Sequence, residues 1–383
     1  MFSTIMRLFG LRKSRRKTVV YVLAASDRFN YGDLLFPYIV RHYIGAKADE
    51  MHFVSTTASD LSERGALPTE AFEVLTRMSP DVRNVLIVAG GECLFSVWPD
   101  IMEYVGRDAD SVPHPTRYPY TIGKKELPNL NAVVYNSVSC TALYTIIDLR
   151  RNQWNKEVLR SADYIAVRDS MTSKGLWKMM QWHRLCPDSA IMMSEVFSKA
   201  FLQQKTAPRI KAIRSHRYVF FQIGLRYLGD HATQLAAMLK YIALSQEVHI
   251  CLCPIGTAPG HDDQKALAEI AQLLPEDIYT LVDEPSIWDI MNLIRGARIY
   301  IGSSLHGAIT AMSFRVPLIG FGPDKLKAYI ATWYDNDKYE PSFTDIDRLP
   351  DAAVRRLISQ VYEDPRKQKR RMRRSLNRIK KFL

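Results

Sequence analysis

The chain has 383 residues, of which 47% are hydrophobic and 24% charged, with 18 Gly, 19 Pro and 5 Cys. This balance excludes a disordered protein, a collagen-like repeat and a small disulfide scaffold, and the length points to two domains, since single cores stop growing at roughly 250–300 residues. The net charge of +12 sits at the ends: residues 1–17 hold six Lys/Arg and residues 366–383 hold ten, neither with an acid, which leaves 36 basic against 40 acidic side chains between them.

Taken in chain order, residues 1–17 place Arg12, Lys13, Arg15, Arg16 and Lys17 after an apolar stretch (Phe2, Ile5, Leu8, Phe9), a pattern suited to an anionic membrane surface. Residues 18–200 then read as a first Rossmann-like domain. Apolar runs at 19–26, 82–91, 131–139 and 162–170 have the character of buried strands, and 33–45 and 172–182 that of helices. Asn30-Tyr31-Gly32-Asp33 is a turn after the first strand, where Asp33 can cap the helix or accept a hydrogen bond from a hydroxyl ligand. Gly90 and Gly91 clear room at the end of the next strand, and Glu92 projects a carboxylate. Arg168 follows a strand and can reach a carboxylate or phosphate through two parallel hydrogen bonds. Pro187-Asp188 reads as a structural turn. Residues 201–216 are polar, lack apolar periodicity and read as a linker.

Residues 217–330 form a second Rossmann-like unit. Strand patterns at 217–226, 248–255, 278–283, 297–302 and 316–321 alternate with helices at 231–245, 262–274, 286–297 and 305–314. Ser286 is expected to cap the third of these helices, and Asp262 and Asp263 to cap the second. Two doubly wound domains in tandem place a ligand in the cleft between them, at the carboxyl ends of the strands. The segment 331–383 reads as helical and ends in a basic amphipathic tail, where Met372, Leu376, Ile379 and Leu383 recur between Arg and Lys. That tail is the second expected contact with an anionic membrane. Because the body is slightly acidic, no nucleic-acid partner is expected.

The strongest site signal is Gly302-Ser303-Ser304-Leu305-His306-Gly307, between a strand and a helix. Gly302 permits a sharp turn, a serine can cap the helix, and the free N–H groups of its first turn suit a phosphate. His306 can donate to a phosphate oxygen or transfer a proton, and Lys325 can add a second positive charge to the same cleft. No Gly-x-Gly-x-x-Gly and no phosphate-loop Gly-Lys-Ser/Thr occurs. The cysteines lack paired metal-ligand spacing, so no metal is expected, and their odd number fits a reduced cytoplasmic protein. The longest uncharged central run, 299–314, has 16 residues and is too short and polar to span a membrane.

In order, Asn30-x-Gly32-Asp33, Gly90-Gly91, Val167-Arg168-Asp169, Pro187-Asp188 and Ser304-Leu305-His306-Gly307, followed by Pro317 and Lys325, resemble the pattern of the polysaccharide pyruvyl transferases from about Val20 to Lys325. The resemblance implies an α/β fold of two facing Rossmann-like domains, GT-B-like. It also implies transfer of the enolpyruvyl group of phosphoenolpyruvate onto two hydroxyls of one sugar, giving a cyclic ketal with no further cofactor. The implied acceptor is a bacterial exopolysaccharide, capsule or cell-wall glycan precursor, often lipid-linked, met at the inner face of the cell membrane. On the same grounds His306 contacts the donor and moves a proton, with Arg168, Ser303, Ser304, Leu305, Gly307 and Lys325 on the donor side. Asn30, Gly32, Gly90 and Gly91 line the acceptor side, and Asp33 or Glu92 accepts a hydroxyl proton. Many relatives carry Arg where this chain has Ser304, which shifts the anion contacts onto Ser304, backbone N–H groups and other cations. The alternative is a GT-B-type glycosyltransferase using a nucleotide sugar in the same pathway, with Asp283 or Glu284 as the ribose-binding carboxylate.

Overall fold

Strands that are apolar on both faces must be covered on both faces, and this chain builds two such sheets. The computed structural model describes residues 16–140, 153–334 and 342–383. In the first unit the strands are β1 (Thr18–Leu23), β2 (Glu50–Val54), β3 (Arg83–Val88), β4 (Gly91–Glu92), β5 (Leu130–Ser139), β6 (Tyr164–Val167) and β7 (Arg184–Leu185). They are ordered β2-β1-β3-β5-β6-β7, with β4 also against β5. The second unit holds β8 (Tyr218–Gln222), β9 (His249–Leu252), β10 (Tyr279–Leu281), β11 (Tyr300–Gly302) and β12 (Leu318–Gly320), ordered β10-β9-β8-β11-β12. Among the described residues every pairing between these strands is parallel.

Strand order reverses between β1 and β3 in one sheet and between β8 and β11 in the other. Loops leaving neighbouring strands at such a point diverge and open a crevice. The loop from β1 leads into helix α1 (Tyr31–Ile44), and the loop from β11 into α4 (Leu305–Phe314); the other helices needed below are α2 (Ser170–Lys178), α3 (Ile287–Gly296), α5 (Asp324–Trp333) and α6 (Arg366–Ile379). Pro37 lies inside α1 and has no N–H to give the Asp33 carbonyl. The Ser26 hydroxyl donates to that carbonyl instead, at 3.2 Å. Ser286 caps α3 in a reciprocal box with Asp289, as its spacing predicts.

The two units share one apolar core. Val20, Phe36 and Ile39 from the first belong to the same buried cluster as Phe220, Ile290, Leu305 and Ala308 from the second. Backbone also crosses between them: the N–H of Tyr31 donates to the Ile255 carbonyl at 3.1 Å, and that of Thr257 to the Phe29 carbonyl at 3.1 Å.

One strand appears that the sequence pattern did not mark, and two expectations change. Strand β2 is half exposed at the sheet edge, and its sequence Glu-Met-His-Phe-Val lacks the apolar run of its neighbours. Residues 201–216 are not a free linker, because they hold the end of a helix, Lys199–Lys205, and a second one, Pro208–Ile213, with Leu202 and Ile210 fully buried. Asn292 of α3 donates to Thr206 Oγ1 at 2.8 Å and fixes that segment. In α6 the apolar stripe expected to meet a bilayer faces the protein: Met372, Leu376 and Ile379 are 0% exposed. The Ser375 hydroxyl lies 2.8 Å from the Tyr164 hydroxyl, and Arg373 reaches both oxygens of Glu195 at 2.9 and 2.7 Å. The apolar residues expected as the N-terminal anchor lie outside the described residues. No helix among the described residues is long and apolar enough to cross a membrane.

If α6 is part of the core, Leu376→Ala should destabilise the protein by roughly 2–5 kcal/mol in chemical denaturation. Arg378→Ala, on the outer face, should stay within about 0.5 kcal/mol. Equal effects at both positions would mean that the helix is not docked.

Candidate functional site

A cavity of about 370 Å³ opens where the two switch points face each other. The β1–α1 loop supplies Arg28 and Asn30, the first turn of α1 supplies Asp33, and the segment after β3 supplies Gly90 with Gly91 and Glu92 of β4. Arg168 follows β6, and the second unit contributes Gln222, Asp263, Ser303, Ser304, Leu305, His306 and Lys325. Most of the expected site residues therefore meet in one place although the chain separates them by up to 295 positions, from Asn30 to Lys325.

Behind the cavity stands a line of buried charge. Asp188 is 0% exposed and Arg168 2%. Arg168 donates through Nη1 to Asp188 Oδ2 at 3.0 Å. On the other side His306 Nε2 stands 3.5 Å from the same oxygen and has no closer hydrogen-bond partner among the described residues. Burial alone would raise the Asp188 carboxyl. His306 and Arg168 beside it, and the N–H of Ala190, hold it below the ordinary carboxylate range instead. Asp188 thus stays ionised and orients an imidazole at the cavity wall. The sequence marks it only as a structural turn; what escapes that reading is a contact across 118 residues.

The imidazole is seated by an absence. A Cβ on Gly32 would fall 1.7 Å from His306 Nδ1, so the glycine exists to let the ring in. Phe36, one turn along α1, meets the ring edge-on at 5.4 Å between centroids. Gly307 makes room in the same way, since a Cβ there would fall 2.3 Å from the Tyr300 hydroxyl oxygen. Neither Gly32 nor Gly307 lines the cavity, contrary to expectation; both clear space for side chains that shape it.

The anion site expected at the start of α4 is largely filled by the protein. Ser304 is the N-cap, and its hydroxyl accepts from the Gly307 N–H at 3.2 Å. Gln222 Oε1 accepts from the N–H groups of Ser303 and Ser304 at 3.1 and 2.9 Å. The Ser303 hydroxyl accepts from the Gly224 N–H at 3.1 Å. Leu305 and His306 follow at the cavity wall with the next N–H groups. Gln222 is aimed by Asp263, whose Oδ2 accepts from its Nε2 at 2.8 Å and from the Ile255 and Gly256 N–H groups at 2.9 and 3.0 Å. Burial pushes the Asp263 carboxyl up to about 7, although those three donors pull it back. Asp263 is a framework residue at the cavity and not the helix cap its position suggested; neither it nor Asp262 caps the helix Asp263–Ala271 through its side chain.

On the opposite wall Asn30 donates from Nδ2 to Asp33 Oδ2 at 2.8 Å. Asp33 sits in the first turn of α1 without capping it. Gly90 and Gly91 have φ of 144° and 95°. A Cβ at Gly91 would come within 3.3 Å of Asp33 Oδ1, so the glycine pair keeps that carboxylate accessible. Glu92 and Lys325 face each other across the cleft mouth at 3.2 Å, and the two roles expected of them compete: each neutralises the other. Asp283 and Glu284 do not line the cavity; their carbonyls accept from Arg209.

Arg28, Arg226 and His261 were not anticipated. The Arg28 guanidinium donates to Asp27 at 2.9 Å and lines the cavity. Burial pushes the His261 imidazole down to about 4, helped by the charges of Lys325, Arg28 and Arg226 and opposed by Asp33. His261 is therefore neutral near pH 7 in a pocket rich in cations. No local motif marks these residues; each is a single polar side chain in an otherwise ordinary loop. Among the described residues no group of three or more His, Cys, Asp or Glu could hold a metal.

Two facing parallel-sheet units with a cavity at both switch points define the GT-B-like class of α/β proteins. Solved structures agree at low identity. A UDP-GlcNAc 2-epimerase from Methanocaldococcus jannaschii, in complex with UDP-GlcNAc and UDP, superposes with a TM-score of 0.58 at 11% identity, covering 95% of this chain and 99% of its own. The UDP-GlcNAc 2-epimerase from Neisseria meningitidis bound to UDP-GlcNAc gives 0.56 at 8% identity, covering 95% and 100%. MnaA from S. aureus with UDP gives 0.56 at 10% identity, covering 96% of each chain. No curated protein matches the chain. The polysaccharide pyruvyl transferase model matches residues 30–325, and the chain belongs to that family of transferases.

Two outcomes follow from this geometry. Gly32→Ala should lower stability by roughly 1–3 kcal/mol through overpacking against His306, even though Ala is the better helix former; a melt at or above that of the wild type would show that the ring is not seated there. The second concerns pH. The folded His261 binds its proton less readily than the unfolded chain, so its contribution to stability is lost as pH falls from about 6.5 to about 4. Asp263 has the opposite sign and destabilises as pH rises from about 4 to about 7. Relative to the wild type, His261→Asn should therefore gain stability on acidification, by up to about 1.4 kcal/mol per pH unit. Urea denaturation at pH 7 and pH 4.5 measures this, and parallel losses in both proteins would contradict it.

Proposed function

We propose that this transferase moves the enolpyruvyl group of phosphoenolpyruvate onto two hydroxyls of one sugar in a bacterial exopolysaccharide, capsule or cell-wall glycan precursor. The observation that carries the reading is His306 at the cavity wall, backed by ionised Asp188 and flanked by cations from both units. A donor with two anionic groups suits a cavity with two cationic zones. Arg168 and the Leu305 and His306 N–H groups serve one zone, and Arg28, Arg226 and Lys325 the other.

In this mechanism His306 gives a proton to the methylene carbon of the enol phosphate. The adjacent carbon becomes oxocarbenium-like, and a sugar hydroxyl attacks it while losing its proton to Asp33. A second hydroxyl then displaces phosphate, which leaves toward the cations, and the two hydroxyl protons balance those taken up by the methyl group and by phosphate. Asp188 compensates the imidazolium charge through the cycle. Asp33 is the preferred base, because Glu92 already faces Lys325. No metal or redox group enters the steps. The acceptor is a lipid-linked sugar in this reading, and the protein works peripherally at the cytoplasmic face of a membrane.

The solved neighbours that bind UDP keep a nucleotide-sugar reading in view, but Asp283 and Glu284 lie off the cavity. The deciding experiment incubates the protein with phosphoenolpyruvate and lipid-linked sugars. It should release phosphate and add about 70 Da to the glycan. His306→Gln should lose activity by a factor on the order of 10²–10⁴. Transfer supported by a UDP-sugar, with phosphoenolpyruvate inert, would replace this reading with the glycosyltransferase one.

A further inference from the structure

Helix α6 sorts its charges by side. Arg373 is paired with Glu195, Lys369 donates to Ser194 Oγ at 2.6 Å and Ser313 O at 3.1 Å, and Arg366 pairs with Asp364. The remaining cations are left without an ion-pair partner among the described residues. Lys367, Arg370, Arg371, Arg374 and Arg378 of α6, with Arg184 of edge strand β7, line a groove of about 520 Å³, and no carboxylate lines it with them. Six like charges around one hollow repel one another, and no carboxylate lining the groove offsets them, although Arg371 lies over the Trp333 ring at 5.3 Å.

Beside the groove the last turn of α2 and the turn after it carry a second, independent feature. Trp177, Met180 and Trp182 are 60%, 75% and 56% exposed within six residues of one another. Met180 has a left-handed backbone, φ 55°, at the tip of that turn. Trp182 reaches the groove, and Arg184 lies over its ring at 4.8 Å.

We propose that the groove between β7 and α6 and the adjoining turn 177–182 form one docking surface for an anionic lipid bilayer. The cations meet lipid phosphates, and Trp177, Met180 and Trp182 enter the interfacial layer. Trp is suited to that depth because it joins an apolar body to an N–H donor. A nucleic acid fits less well. Base stacking needs a free ring face, one face of Trp182 already carries Arg184, and Met180 offers nothing to a base. This surface replaces the inserted amphipathic helix that the tail pattern suggested, since the apolar stripe of α6 is buried. It gives a surface to the peripheral membrane placement in the proposed function and is independent of the pyruvyl-transfer chemistry.

The test is sedimentation of the full chain with vesicles of phosphatidylcholine, with and without phosphatidylglycerol. Binding should require phosphatidylglycerol and weaken with salt. Arg370→Ala/Arg374→Ala/Arg378→Ala should lower affinity on the order of a hundredfold. In the wild type, brominated lipid should quench tryptophan fluorescence, and the quenching should disappear in Trp177→Phe/Trp182→Phe. The wild-type quenching decides the matter even if the triple variant is unstable. Equal binding to neutral vesicles, full binding by the triple variant, absent quenching, or tighter binding to single-stranded DNA than to vesicles would each overturn the proposal. None of these measurements uses phosphoenolpyruvate, so this surface and the proposed reaction stand or fall separately.

Discussion

A carboxylate sealed from water holds the two halves of the site in register. Asp188 comes from the first unit and takes the Arg168 guanidinium from the end of β6 on one side and the His306 imidazole from α4 on the other. Its own N–H donates to the Tyr329 hydroxyl of α5 at 3.3 Å. A charge without exposure is tolerable only when it is paired and hydrogen-bonded, so these elements cannot shift independently. The placement of His306, the Gly32 opening that receives it and the packing of α1 on α4 follow from that one buried ion. Tyr31 reinforces the same contact, with its hydroxyl 2.9 Å from Thr310 Oγ1.

The topology brings ligand-facing loops to the cleft, but it does not set their chemistry. In many α/β proteins the N–H groups at a helix start receive the anion. Here Gln222 occupies two of them and Ser304 caps a third, so the positive character of the cavity comes from side chains on four separate segments: Arg28, Arg168, Arg226 and Lys325. Ser304 fits that setting: as a cap it stabilises the helix carrying His306, while the positive charge comes from side chains on other loops.

What could be read from sequence was whatever repeats locally. Near-continuous apolar strands, the Ser286 cap of α3 and the whole of α4 carry their own signals over a few residues. The loops at the ends of β1, β3 and β11 stood out because glycine and short polar residues after a buried strand have few other uses. What could not be read depends on partners far away in the chain. The 201–213 segment is polar by count, yet single residues such as Leu202 and Ile210 suffice to dock it. The α6 stripe has the same spacing whether it meets lipid or protein, and only Tyr164, Glu195 and the core beneath decide which. Arg28, Gln222, His261 and Asp263 are isolated polar residues whose meaning appears when the two sheets face each other.

That facing arrangement does not rest on the ion pair at the mouth. Glu92 and Lys325 are each about a third exposed, and such pairs contribute about 0–1 kcal/mol. The shared core and the crossing hydrogen bonds at Phe29–Tyr31 and Ile255–Thr257 are buried and far stronger in aggregate. The hinge side of the cleft is therefore the rigid one and the mouth the yielding one. An anion entering the cavity can compete with Glu92 for Lys325 at little energetic cost, while Asp188, Arg168 and His306 behind it keep their geometry.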